Sequence, residues 1–158
     1  MSSKKISDIG YQVSNVEIKK ILSFIILLSV FSCNNEPPQI NFGKDLCDFC
    51  KMTVMDKKFG AVLVNKKGKA LKFDSGECMV NYLNSDKEFE AKNFLIINYA
   101  NPEELIDATT SFYLHGGIVN SPMGGQLAAF STKQDAEKFY KELNGELLSW
   151  NEVMQLSF

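Results

Sequence analysis

Lys72-Phe73-Asp74-Ser75-Gly76-Glu77-Cys78-Met79-Val80-Asn81-Tyr82-Leu83 decides the fold, because the chain repeats its pattern further on. Phe73 closes a short apolar stretch, and Asp74 or Ser75 then caps a helix read over Glu77 to Leu83. Met79, Tyr82 and Leu83 fall on one helical face. At a spacing of 57 residues, Phe130 closes another stretch, Ser131-Thr132 caps, and Lys133 to Leu143 reads as a helix with Ala136, Phe139, Tyr140 and Leu143 on one face. Phe73 matches Phe130, Met79 matches Ala136, Tyr82 matches Phe139 and Leu83 matches Tyr140.

Strands flank both helices. Before the first come Thr53 to Asn65, the turn Lys66-Lys67-Gly68-Lys69, and Ala70 to Phe73; after it comes Phe94 to Tyr99. Pro102 to Ala108 reads as a connection. The second half supplies Ser111 to Val119, Gln126 to Phe130 and, after Asn144-Gly145, Glu146 to Trp150. The order strand, strand, helix, strand thus occurs twice, over about 53–100 and 109–154. Each half alone is too small to bury an adequate core. The sequence predicts an α+β fold of two homologous ββαβ units packed as one domain.

The chain has 158 residues, 45% hydrophobic and 23% charged, as in an ordinary globular protein. Its 17 basic residues are all lysine. A chain without arginine lacks the forked donor used most for phosphate and guanine. With a net charge of -2, nucleic acid is a poor partner.

Ile21 to Ser32 is apolar, follows Lys19-Lys20 and ends at Cys33. It is shorter than the ~20 residues that span a bilayer. This order reads as a secretory signal over residues 1–32, and Cys33 after Val30-Phe31-Ser32 resembles a loose lipobox. Cys33 is then the lipidated residue, and 33–44, with Pro37-Pro38, the tether of a domain at 45–158. An ordinary signal peptide and a tail anchor are the alternatives.

The chemistry gathers at Cys47-Asp48-Phe49-Cys50-Lys51-Met52. Two thiols and a thioether suit a soft cation, above all Cu(I). On an extended segment Cys50 and Met52 point the same way. The same pair of cysteines also fits a redox dithiol or half a zinc site. A redox pair usually opens a helix, which lowers a thiol pKa, whereas a strand is expected here. Zinc needs four ligands, and only Cys78 and His115 remain. Ser121-Pro122-Met123-Gly124-Gly125 is a tight turn that exposes Met123, either as a further ligand or as a core residue beside a bend. Cys78 reads as a buried structural thiol before it reads as a ligand. His115, the only histidine, has no visible partner, and no nucleophile elbow argues for a hydrolase.

Cys47-x-x-Cys50-x-Met52, then Lys72-Phe73-Asp74-x-x-x-Cys78-Met79-x-x-Tyr82-Leu83, then Ser121-Pro122-Met123-Gly124-Gly125-x-Leu127-x-Ala129-Phe130 together resemble the NosL family. The resemblance covers roughly Asp45 to Trp150. It implies a bacterial lipoprotein of the cell envelope, facing the periplasm, that binds Cu(I) and helps assemble the copper centres of nitrous-oxide reductase. The implied partners are that apo-enzyme or its assembly transporter, and the membrane through the lipid. The implied ligands are Cys50, Met52 and Met123, with Cys47 beside them. The family usually has Gly where Lys51 stands. Two other activities compete with this binding role: a thiol–disulfide oxidoreductase using Cys47 and Cys50, and an organometal-cleaving enzyme, for which no carboxylate stands poised as proton donor.

Overall fold

Two hairpins organise the chain, one in each half. A computed structural model describes residues 38–158 apart from Lys87; the expected signal peptide and the lipidation site Cys33 lie outside the described residues. In the first half, β1 (Ala61–Asn65) pairs antiparallel with β2 (Ala70–Phe73) and with β3 (Ala91–Ile97), and α1 (Gly76–Ser85) lies between β2 and β3 in sequence. In the second, β5 (Phe112–His115) pairs antiparallel with β6 (Leu127–Phe130) and β7 (Glu146–Ser149), with α2 (Lys133–Leu143) between the latter two. The expected pair of ββαβ units is therefore present, each with its first strand in the centre.

The repeat extends to the packing. Tyr82 packs on Phe73 at 5.4 Å between ring centroids, and Phe139 on Phe130 at 5.3 Å. Met79 and Ala136 are both fully buried. The caps match too: Ser75 accepts from the Cys78 N–H, and Thr132 from the Asp135 N–H. Tyr140 departs from its counterpart Leu83, with 45% exposure. The halves meet where the chain leaves β3: Asn98 bridges Ala129 in parallel fashion, and the Tyr99 N–H donates to the Ala129 carbonyl at 2.8 Å. Tyr99 then packs against Phe59, Phe130 and Phe139. The connection between β5 and β6 is much longer than that between β1 and β2, and it carries Met123.

Four elements differ from the sequence expectation, among them the strand read from Ser111 to Val119, which stops at His115 before Gly116 and Gly117. The strand expected from Thr53 begins at Ala61. The Asp56 carboxylate accepts the Lys58 N–H at 2.9 Å, a local turn that competes with strand pairing. The connection after Pro102 contains an edge strand, β4 (Leu105–Asp107), on β3. The last strand stops at Ser149, where Glu152 accepts the Ser149 N–H at 2.7 Å and starts the short helix α3 (Trp150–Val153). Of the segment read as a tether, residues 38–44 lie on the domain: Ile40 and Phe42 pack against the core, and the Gly43 N–H donates to the Val54 carbonyl.

Backbone crowding fixes one loop. At Gly117, φ is +61°, and an added Cβ would lie 2.0 Å from the Leu143 carbonyl oxygen. Only glycine fits there.

Candidate metal centre

The Cys47–Met52 segment is a tight turn rather than an extended lead into a strand, which corrects the expectation that Cys50 and Met52 share a side. The turn is closed by the Cys47 N–H donating to the Met52 carbonyl at 2.8 Å and the Lys51 N–H donating to the Cys47 carbonyl at 3.0 Å. Lys51 sits at φ +65°, in the left-handed region that favours glycine. Its ammonium is held by the Asp48 carbonyl, so it braces the turn from the exposed side.

The turn is pinned along β2. Asp48 donates its N–H to the Lys72 carbonyl and accepts the Lys72 N–H, each at 2.7 Å. The Lys72 ammonium also pairs with Asp45 at 2.6 Å. Because β2 runs into the cap of α1, this register brings Cys78, in the first turn of that helix, beneath the turn. The Sγ atoms of Cys47, Cys50 and Cys78 all lie within 4.8 Å of one another. Cys47 and Cys78 are fully buried and Cys50 is half-buried. Cys78 is thus a member of the sulfur cluster, whereas the sequence reading made it a structural thiol first. Strand-to-helix continuity after Lys72 was the signal; the linear separation from Cys47 hid it.

A metal–sulfur bond of about 2.3 Å puts the three sulfurs of a trigonal site about 4 Å apart. The cluster has that scale. Its protonation is uneven. Hydrogen-bond donation from the Cys78 thiol lowers the Cys47 pKa to about 5, assisted by the N–H groups of Asp74, Cys50 and Phe49 and opposed by burial. Cys78 is raised because it donates to Cys47 and is buried. Cys50 is raised chiefly by burial, and further by the charge on Cys47. One buried thiolate and two thiols result.

The other residues singled out in the sequence are more dispersed. Met52 is 48% exposed and lines a cleft with Asp56, Asp74 and Asn120. Met123 is 39% exposed and lines a different cleft with Phe49, Asn81 and Phe158. His115 ends β5 and packs edge-on against Phe158. Glu77, next to Cys78, ties the Met123 loop to α1: its Oε1 accepts from the Ser121 hydroxyl and, at 3.1 Å, from the Leu127 N–H. Gly125 packs so closely here that a Cβ would lie 2.5 Å from Glu77 Cγ.

A sequence model of the NosL family matches residues 39–157, essentially all of the described chain. The chain belongs to the NosL family. Among solved structures it is similar to the copper chaperone NosL from Shewanella denitrificans, with a TM-score of 0.65 and 22% identity over 76% of this chain and 96% of that one. At that identity the likeness shows the fold. A search of curated proteins gave no match. The family match spans the turn, the β2–α1 junction and the Ser121–Gly125 loop. In this NosL protein those segments carry Cys47 and Cys50, Cys78, and Met123 respectively.

Proposed function

We propose that this NosL protein is a binding protein, a copper chaperone that carries Cu(I) on Cys47, Cys50 and Cys78 and hands it to a copper-receiving enzyme. The observation that carries the reading is the gathering of three thiol sulfurs within 4.8 Å in a chain of this family. Three soft donors without a histidine among them select Cu(I) over harder ions. A half-buried Cys50 leaves the cluster approachable from one side, which suits transfer better than a closed four-ligand cage.

Met52 and Met123, each partly exposed on a different cleft, would take part in exchange with the recipient. Nitrous-oxide reductase, or the transporter that assembles its copper centres, is the proposed recipient. The proposed location is the periplasmic face of the cell envelope, with a lipid on Cys33 as the tether.

Anaerobic titration of the reduced full chain with Cu(I), against a competing chromophoric chelator, tests the central claim. One Cu(I) bound tightly, and lost in Cys47→Ser/Cys50→Ser, is expected. Absence of binding by the fully reduced wild type would sink the chaperone reading.

One observation favours a thiol–disulfide oxidoreductase instead: the lowered Cys47 pKa, which resembles that of an attacking thiolate. Insulin reduction that disappears in Cys50→Ser but persists in Met52→Ala/Met123→Ala would move the assignment to that class.

A further inference from the structure

Beside the thiol cluster lies a cleft of about 440 Å³, and its chemistry differs from that of the cluster. Met52, Met55, Asp56, Asp74 and Asn120 line it. Asp74 is only 3% exposed, yet its Oδ1 has no hydrogen-bond partner among the described residues. Burial raises its pKa, the Met55 N–H that it accepts opposes this, and the charges of Cys47, Asp56 and Glu77 raise it further. Among the described residues no lysine forms an ion pair with Asp56 or Asp74. A buried, unpaired carboxylate oxygen is costly unless something satisfies it. Met52 and Met55 add two thioethers with 48% and 66% exposure, an unusual presentation for large apolar side chains.

The cleft and the cluster share a wall. The Asp74 backbone N–H donates to the Cys47 sulfur, and Asp74 is also one of the residues lining the cleft. Cys50 accepts the Met52 N–H, while the Met52 side chain lines the same cleft. Asp74 and Met52 therefore border both the cleft and the thiols.

We propose that this cleft is a second, weaker cation site, through which a copper ion reaches and leaves the thiol cluster. The proposal rests on the copper reading for the identity of its ion. The carboxylates of Asp56 and Asp74 supply attraction for a cation arriving from water. The thioethers of Met52 and Met55 make the site accept a soft ion and hold it loosely, since neither must lose a proton. The ion then exchanges thioether and carboxylate contacts for thiolates without crossing bulk water. Cys47 is already a thiolate; the S–H protons of Cys50 and Cys78 pass to water as their sulfurs take the ion, and the metal keeps its oxidation state.

The test uses the reduced full chain, loaded anaerobically first with one and then with a second equivalent of Cu(I). Native mass spectrometry counts the ions and X-ray absorption reports the donors. The expected result is a second, more weakly held Cu(I) whose spectrum adds oxygen and thioether scattering. Asp56→Asn/Met55→Leu, which alters no thiol, should abolish the second equivalent and leave the first. Wild-type protein that never binds a second ion, or a second ion undisturbed in that variant, would overturn the proposal. So would displacement of that ion by calcium, magnesium or manganese, which marks an oxygen site for hard cations. Failure of the first equivalent strikes the thiol reading, whereas loss of the second alone strikes only this one. An ion that binds the cleft in Cys47→Ser/Cys50→Ser/Cys78→Ser protein, and is lost when Asp56→Asn/Met55→Leu is added, supports the cleft independently of the thiols.

Discussion

Acidification should weaken Cu(I) binding with a slope that counts the ligands. A metal-bound cysteine is a thiolate, so every ligand thiol protonated in the free protein releases a proton on binding. At neutral pH Cys47, with a pKa near 5, is already deprotonated, whereas Cys50 and Cys78 are raised and hold their protons. Ligation by all three thus releases two protons. The apparent affinity should fall about a hundredfold for each pH unit lost between about pH 8 and pH 6, where ordinary carboxylates contribute little. Below the Cys47 pKa the third proton steepens the slope. Chelator competition at several pH values gives the slope, and Cys50→Ser, which leaves the Cys78 hydrogen bond to Cys47 in place, should reduce it to about tenfold per unit. A wild-type slope of tenfold would mean that Cys78 keeps its proton in the complex. The three-thiolate argument would then be wrong, and Cys78 would return to the structural role first read from the sequence.

Other consequences concern the frame around the cluster. Glu77→Ala leaves the Ser121 hydroxyl and the Leu127 N–H unpaired in the interior, at about 1–3 kcal/mol for each, while Glu77→Gln keeps an acceptor there and should stay within about 1 kcal/mol of wild type; equal losses in urea denaturation would contradict this account. Lys51→Gly relieves a left-handed residue worth about 1–2 kcal/mol but gives back about half of that in unfolded-state entropy, so it should be more stable than Lys51→Ala by about 1 kcal/mol, and the reverse order would refute the strain argument. In the apo-protein, stability should rise with pH from about 5 toward 8, because the folded pKa of Cys47 lies below its unfolded value; above about 8 the raised Cys50 and Cys78 thiols oppose the rise, since they ionise first in the unfolded chain. Cys50 and Cys78 stay protonated in both states up to about pH 8, so Cys47→Ser should flatten the profile over that range, as followed by thermal melts at fixed pH.

The fold was legible because its two helices announce themselves in the same way. Phe73 and Phe130 end strands, Ser75 and Thr132 cap, and the aromatic three residues after Met79 or Ala136 folds back on that phenylalanine in each half. These are local signals with a tertiary consequence, so a linear reading recovers them. The missed elements depend on contacts that no local period encodes. β4 is a three-residue edge that exists because β3 offers it a partner. The break after Thr53 is an Asp56 turn within an otherwise strand-like composition. Cys78 belongs with Cys47 only because β2 holds the turn through Lys72 and then delivers α1 below it.

The same register explains why the cluster can be both selective and reversible. Cys47 is held as a thiolate by donors fixed in the backbone of Phe49, Cys50 and Asp74, so one strong ligand is preformed and carries no proton to displace. Cys78 supplies the hydrogen bond that stabilises that thiolate, and the incoming metal must take over this role from a proton. Metal and proton therefore compete for one pair of sulfurs. Cys50, the least buried of the three, is where a recipient's own thiolate or thioether can first reach the ion. Once Cys50 lets go and reprotonates, the proton of Cys78 can return to its place against Cys47, which stabilises the emptied cluster as the ion leaves. A cage of three thiolates, each independently deprotonated, would have no such return state and would pass its ion on less readily.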